Sequence, residues 1–285
     1  MRAQEALRAA IATLREAGVE DAPRDARILL AHAMDLKTDR LTLHLADDLS
    51  AAQLADYHTH TQARSTRQPI SQIVGQRLFW GHTFHVTRDT LDPRPETETL
   101  VSEAISRPIY NMLDLGTGTG AILISCLKAM PIARGLGTDL SDAALLVAQD
   151  NAARLGVSAR ARFQQADWLA GVTGAYDLIT SNPPYIAADE MAALSPEVQG
   201  WEPHLALTPG GDGLDAYRRI ALGAPARLMP GGRLLVEIGP TQAAAVSALF
   251  AAQGLQEIRI LPDMDGRDRV VVAVKPGPTD RCGCA

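Results

Sequence analysis

Leu7, Ala10, Ile11 and Leu14 recur at i, i+3, i+4 and i+7, the spacing of one helix face, and Gly18 stops the run. Pro23 suits the first turn of a second helix, where a missing N–H costs nothing. Ala26, Leu29, Leu30 and Ala33 continue the same kind of stripe. Ser50 with Gln53 three residues later reads as a capping box opening a third. No strand signal precedes about residue 70, so residues 1–68 are expected to form a small helical bundle. Between Ile70 and Leu91 apolar residues alternate around Gly75 and Gly81, which predicts a β-hairpin connector over 69–92. Pro93 and Pro95 block its continuation. From residue 93 to 275 the pattern alternates strand and helix. IYNMLDL, ARGLGTDL, ARFQQAD, AYDLITS, GRLLVEIG, LQEIRIL and DRVVVAVK read as strands. GAILISCLKAM, DAALLVAQDNAARLG and stretches near 213–229 and 241–253 read as helices. That alternation predicts an α/β fold with a doubly wound, mainly parallel sheet of seven strands, and residues 276–285 are left as a tail.

Composition narrows the class. Hydrophobic residues make up 46% and charged residues 21% of the 285, enough apolar material for a sizeable core. The net charge of −6 argues against broad nucleic-acid binding, which needs clustered Lys and Arg. MRAQEALRAA holds no long apolar run, so neither a signal peptide nor a membrane span is expected. Cys126, Cys282 and Cys284 form neither a disulfide framework nor a zinc pattern. Cys126 reads as a small core residue, and the usage suits a reducing, cytoplasmic setting.

Candidate chemistry begins at LDLGTGTGAI, where Gly116, Thr117, Gly118, Thr119 and Gly120 lie between the first strand of the alternating region and its helix. Glycines there let a ligand approach the backbone. The spacing is G-x-G-x-G, not the dinucleotide fingerprint G-x-G-x-x-G. Asp114 ends the strand before the loop and Asp139 ends the next strand. A carboxylate at the second position can accept both ribose hydroxyls of a nucleoside without calling for a pyrophosphate. S-adenosylmethionine therefore fits better than NAD. Asp167 and Trp168 follow the third strand, where they could meet an adenine amino group and cover its ring. Taken singly, Asp167 reads as a helix N-cap and Trp168 as core packing. Their place at strand C-termini, where open α/β sheets bind ligands, favours the site.

TSNPPYI follows the fourth strand at the same edge. Two prolines remove backbone donors and stiffen the turn around Asn182. The Asn182 side-chain carbonyl and the Pro183 main-chain carbonyl could each accept from a planar NH₂ group, with Pro184 holding the turn and Tyr185 lying against the flat face. The plainer reading of Asn-Pro-Pro is a rigid turn.

NPPY behind such a glycine loop resembles the motif of S-adenosylmethionine-dependent amino-methyltransferases. With PRPETE (93–98), SNPPYI (181–186), EPHLALTPGGDGLDAYRRI (202–220), EIG (237–239) and GRDRVV (266–271), the chain resembles the release-factor glutamine N5-methyltransferase family over nearly its whole length. The resemblance implies a Rossmann-like methyltransferase domain behind a helical substrate-docking domain. It implies methyl transfer from S-adenosylmethionine to the glutamine N5 of the Gly-Gly-Gln motif in class 1 peptide chain release factors, modulating translation termination. Catalytic roles then fall to Asn182 and Pro183, substrate contacts to those two with Pro184 and Tyr185. Cofactor contacts fall to the glycine loop, Asp139, Asp167, Trp168 and Asn182.

No metal is called for, and Glu96, Glu98 and Glu202 read as ion-pair or capping residues rather than bases. Three rival readings stand beside this one. The first is a ribosomal-protein glutamine methyltransferase, which PRPETE disfavours. The second is a nucleic-acid amino-methyltransferase, disfavoured by the acidic balance. The third is a non-catalytic scaffold, disfavoured by the intact loop, Asp139 and NPPY.

Overall fold

A computed structural model of the protein describes residues 1–277. In chain order it contains α1 (Ala3–Glu16), α2 (Ala22–Ala33), α3 (Ala51–Ser65) and α4 (Ile70–Val74). The hairpin strands β1 (Gln76–Phe79) and β2 (His82–His85) come next, then α5 (Glu98–Ala104). The alternating region runs β3 (Asn111–Leu115), α6 (Ala121–Ala129), β4 (Arg134–Asp139), α7 (Asp142–Arg154), β5 (Ala161–Gln165) and β6 (Tyr176–Ser181). It ends with α8 (Pro196–Trp201), α9 (His204–Leu207), α10 (Asp215–Arg227), β7 (Leu228–Glu237), α11 (Ala243–Ala252), β8 (Gln256–Pro262) and β9 (Asp268–Val274).

The chain divides into two compact units, Met1–Gln76 with Leu194–Trp201, and Arg77–Ala193 with Glu202 onward. In the first, the α1 stripe (Ala3, Ala6, Leu7, Ala10, Leu14) and the α2 stripe (Ala22, Ala26, Leu29, Leu30) share one core with Leu41 and Tyr57. The Tyr57 hydroxyl donates to the Ala26 carbonyl at 3.1 Å, so this buried ring keeps a polar partner. The Ser50–Gln53 capping box forms in both directions, at 3.0 and 3.2 Å. Segment 194–201 joins this unit through charge. Glu197 accepts from Arg64 at 3.0 Å and from Arg67 at 2.8 Å, and Arg64 also bonds Asp25 at 2.7 Å. Trp201 Nε1 donates to the Thr66 carbonyl.

The second unit is built on a seven-stranded sheet in the order β5-β4-β3-β6-β7-β9-β8. β5 through β7 run parallel, and β9 and β8 complete the sheet antiparallel. Successive strand residues feed two separate cores, because side chains alternate across a sheet. Met112, Leu178, Leu235 and Val272 enter one, with Phe79, Phe84 and Ile124. Leu113, Ile179, Val236 and Val271 enter the other, with Tyr217 and Phe250. Strands buried on both faces read as near-continuous apolar runs, which is why they were legible. Cys126 is fully buried in α6, and burial pushes its thiol up.

Two expectations need correction. The hairpin is shorter than 69–92: Ile70–Val74 is a helical turn that Gly75 ends in the left-handed conformation (φ 70°), and pairing spans only β1 and β2. Alternating apolar residues over five positions cannot separate one helical turn from a strand. The compact units also part at 76/77, with a return segment at 194–201 that no composition shift marks. Cys282 and Cys284 lie outside the described residues.

Candidate active site

Register assembles the site. Leu115 pairs with Thr138 of β4 and with Ser181 of β6, while Asp139 pairs with Gln165 of β5. The residues that follow, Gly116, Asn182 and Ala166–Asp167, therefore leave the sheet beside Asp139 at one edge. This is where strand order reverses around β3, the usual ligand crevice of such sheets.

Asp114 bolts the edge together and stays out of the crevice. It is fully buried, accepts from Thr117 Oγ1 at 2.7 Å and from Thr180 Oγ1 at 2.8 Å, and so ties the loop to the strand that carries Asn182. Burial pushes its carboxyl up to about 6 despite both hydroxyls. Asp139 is clamped too: Oδ2 accepts the Gly118 N–H at 2.9 Å and Oδ1 the Ser141 N–H at 3.0 Å. Burial raises its pKa, and those N–H bonds pull it back down.

A cavity of about 530 Å³ opens at this edge, within the size range of small-molecule sites. Gly116, Thr117, Gly118, Thr119, Asp139, Asp167, Trp168, Asn182 and Pro184 all line it. Gly116 and Gly118 have φ of 65° and 54°, and a Cβ on either would meet nothing within 4 Å. That open space in front of a bare backbone is what a nucleoside with its amino-acid arm would fill. The residues that line the cavity thus fit S-adenosylmethionine: a carboxylate clamped at the strand end, a glycine cradle and an indole.

Three predicted contacts fall outside the cavity wall. Gly120 caps α6 at φ 78°, where a Cβ would lie 2.8 Å from Ile124 Cδ1 and 3.3 Å from Ala148 Cβ, so its bareness serves helix packing. Pro183 is buried behind the wall, and Tyr185 packs onto the second sheet core. The Tyr185 carbonyl accepts from Gln242 at 2.9 Å, and burial pushes its phenol up to about 12. Asp167 caps no helix; it pairs with Arg219 at the surface.

Two residues that sequence reading passed over complete the site. Asn182 Nδ2 donates to Thr97 Oγ1 at 3.2 Å, and the Thr97 hydroxyl donates to Glu237 Oε2 at 2.5 Å. Both lie inside segments that carried the resemblance, PRPETE and EIG, but nothing local marks either as a partner of NPPY. With Nδ2 committed to Thr97, the carbonyl oxygen remains as the acceptor of Asn182. Glu98 accepts from the Trp80 N–H at 2.8 Å, and Glu202 pairs with Arg94, structural roles in both cases.

Comparison with known proteins bears on this geometry. The family described as PrmC N-terminal domain matches residues 5–75, and the Methyltransferase small domain matches residues 87–197. A release factor glutamine methyltransferase of Cereibacter sphaeroides is 60% identical over 97% of this chain and 99% of its own. That of Caulobacter vibrioides is 42% identical over 92% of each chain. That of Moorella thermoacetica is 39% identical over 96% of this chain and 99% of its own. Among solved structures, the hMettl16 catalytic domain in complex with MAT2A 3′UTR hairpin 6 aligns with a TM-score of 0.57 at 17% identity, over 80% and 82% of the two chains. A methyltransferase from Pyrococcus furiosus aligns with a TM-score of 0.53 at 16% identity, over 68% and 88%. At those identities the structures share the fold.

Proposed function

The chain belongs to the release factor glutamine methyltransferase family, and from that premise we propose that it methylates the side-chain amide nitrogen (N5) of the glutamine in the Gly-Gly-Gln loop of class 1 peptide chain release factors. The methyl donor is S-adenosylmethionine. When bound, that cofactor supplies a methyl group on a sulfonium, a strong electrophile.

The work left to the protein is position and charge complementarity, because an amide nitrogen is a weak nucleophile. Asn182 carries the reading: it lines the same cavity as Asp139 and the glycine loop, and its Nδ2 is engaged by Thr97. Its Oδ1 accepts one hydrogen of the substrate NH₂, and the other is assigned to the carbonyl of the adjoining Pro183, a residue that does not line the cavity before substrate enters. Two acceptors hold the nitrogen in place and stabilise the positive charge that grows on it during attack. An N-alkylated amide cation is very acidic, so the proton leaves afterwards without a dedicated base. Asp139 holds the ribose, Asp167 and Trp168 the adenine. Tyr185, anchored through its carbonyl, supports the turn from behind.

A glycine-flanked amide on an exposed loop suits a pocket of this kind, since neighbouring glycines bring no side chains to clash. The helical unit is a second contact surface for the body of the release factor, and linking two weak contacts raises affinity. The acceptor is a protein and not a nucleic acid, in keeping with the net charge of −6. The setting is the cytoplasm, where release factors act; no helix among the described residues is long and apolar enough to cross a membrane.

The test is direct. Incubate the purified protein with labelled S-adenosylmethionine and a release factor, then locate the methyl by peptide mass spectrometry. Label on the Gly-Gly-Gln glutamine is the expected result. Label on another residue, or only on added RNA or DNA, overturns the reading.

A further inference from the structure

The Asn182 amide has two faces of opposite polarity, and only one suits its task. Presented oxygen-first it accepts from a substrate NH₂; presented nitrogen-first it sets donor against donor. Nothing within the NPPY turn itself selects between them. The selection lies behind it. Thr97 and Glu237 are 3% and 1% exposed, so solvent does not compete for their bonds. A hydroxyl has one proton to give. With that proton on Glu237 Oε2 at 2.5 Å, Thr97 Oγ1 turns a lone pair to Asn182 Nδ2 at 3.2 Å.

We propose that Thr97 and Glu237 are positioning residues that set the polarity of the Asn182 amide: ionised Glu237 holds the Thr97 proton, Thr97 holds the Asn182 NH₂, and Oδ1 is left for the substrate. This rests on the amide-acceptor reading of Asn182 above. The relay joins three segments distant in sequence, Pro95–Thr97, the turn after β6 and the end of β7.

The arrangement depends on charge at Glu237. A protonated Glu237 can donate to Thr97 in place of accepting from it, and the Thr97 proton is then free to turn to Asn182. The amide is best satisfied by rotating its oxygen inward, which presents NH₂ to the substrate. Burial pushes the Glu237 carboxyl up to about 7, against the pull of the Thr97 hydroxyl and of Arg269 on β9. Glu96 pushes the same way as burial, and Arg94 pulls down. Tyr185 and Tyr217 also face the group, and burial keeps both phenols protonated. Turnover should therefore fall as pH drops through about 7, the change being in the acceptor and not in the cofactor pocket.

Three variants test this with a Gly-Gly-Gln peptide at saturating cofactor. Thr97→Val keeps the shape and removes the hydroxyl; kcat should drop roughly tenfold, the scale of one lost hydrogen bond, with little change in cofactor KM. Thr97→Ser should recover most of that loss, which a purely structural role for the side chain would not predict. Glu237→Gln can accept from Thr97 but cannot titrate, so the ratio of kcat at pH about 8 to that at pH about 6 should move toward one. Thermal midpoints establish that each variant is folded. Thr97→Val turning over at the wild-type rate, or Glu237→Gln keeping the wild-type acid limb, overturns the relay. Asn182→Ala is measured in parallel. If it is inactive while Thr97→Val is normal, the relay alone fails; if it is active, the acceptor reading of the site fails with it.

Discussion

Arg94 and Glu202 face each other across 108 positions of chain, with Arg94 Nη2 at 2.6 and 2.7 Å from the two carboxylate oxygens. The carboxylate is 2% exposed and the guanidinium 34%. The pair ties the segment that carries Thr97 to the segment that returns from the NPPY loop, and Arg94 lines the cavity between them.

Removing the cation should be worse than removing the anion. Arg94→Met leaves the buried Glu202 carboxyl without its partner, so that it must take up a proton or stay charged unpaired, and should cost about 2 kcal/mol, below the usual figure for a fully buried pair because the Arg94 side chain is a third exposed. Glu202→Gln leaves only an exposed-side cation and a neutral acceptor, and should cost less. Urea unfolding at neutral pH measures both; equal losses would show that the pair does not act through the buried carboxylate.

Stability should decline between about pH 4 and pH 7. Burial raises Asp114 from 3.8 to about 6, and Glu202 and Glu237 from 4.5 to about 7. For Glu202 burial outweighs the attraction of Arg94. In each window the folded state binds more protons than the unfolded chain, so unfolding free energy falls as pH rises and levels off above the folded pKa. Denaturant midpoints across the range are the measurement, and Glu202→Gln should flatten the curve. A midpoint that climbs steadily from pH 5 to pH 7 would contradict the assignment of these groups.

Asp139→Ala should weaken S-adenosylmethionine binding by about tenfold or more, as expected for a lost charged hydrogen bond of roughly 1.5–3 kcal/mol. The variant also frees the Gly118 and Ser141 N–H groups that Asp139 clamps. Some loss of order in the loop should therefore accompany the loss of affinity. Titration calorimetry reads the first directly, and unchanged affinity would remove Asp139 from the cofactor site.

Gly118 and Gly120 should respond differently to a methyl group. At Gly118 a Cβ enters open cavity, so Gly118→Ala should cost cofactor affinity beyond the strain of its positive φ. At Gly120 the Cβ meets Ile124 and Ala148, so Gly120→Ala should mainly lower stability, by about 1–3 kcal/mol. Comparing Tm with cofactor Kd for the two variants separates the roles. The reverse pattern would place Gly120 in the site.

Much of this protein could be read before folding it. The apolar runs of β3, β6, β7 and β9 were legible because each is buried on both faces, and the stripes of α1 and α2 because each is buried on one. The glycine loop, Asp139 and NPPY were legible because a crevice at strand C-termini needs bare backbone, a carboxylate and a stiff turn at fixed places along the chain. Those are demands of local conformation and strand order, and one-dimensional spacing records them.

What the spacing could not record was who stands behind whom. Gly120 and Gly118 look alike in sequence; the packing of Ile124 on α6 and Ala148 on α7 makes one a packing residue and leaves the other facing the cavity. Thr97 and Asn182 are 85 residues apart, and Thr97 and Glu237 are 140 apart. No periodicity links positions at such distances, because a hydrogen bond between side chains depends on where three chain segments converge. Local conformation and strand order were enough to place the sheet, the cradle and the turn. Which polar atom of Asn182 is held from behind by Thr97 depended on the convergence of segments far apart in the chain.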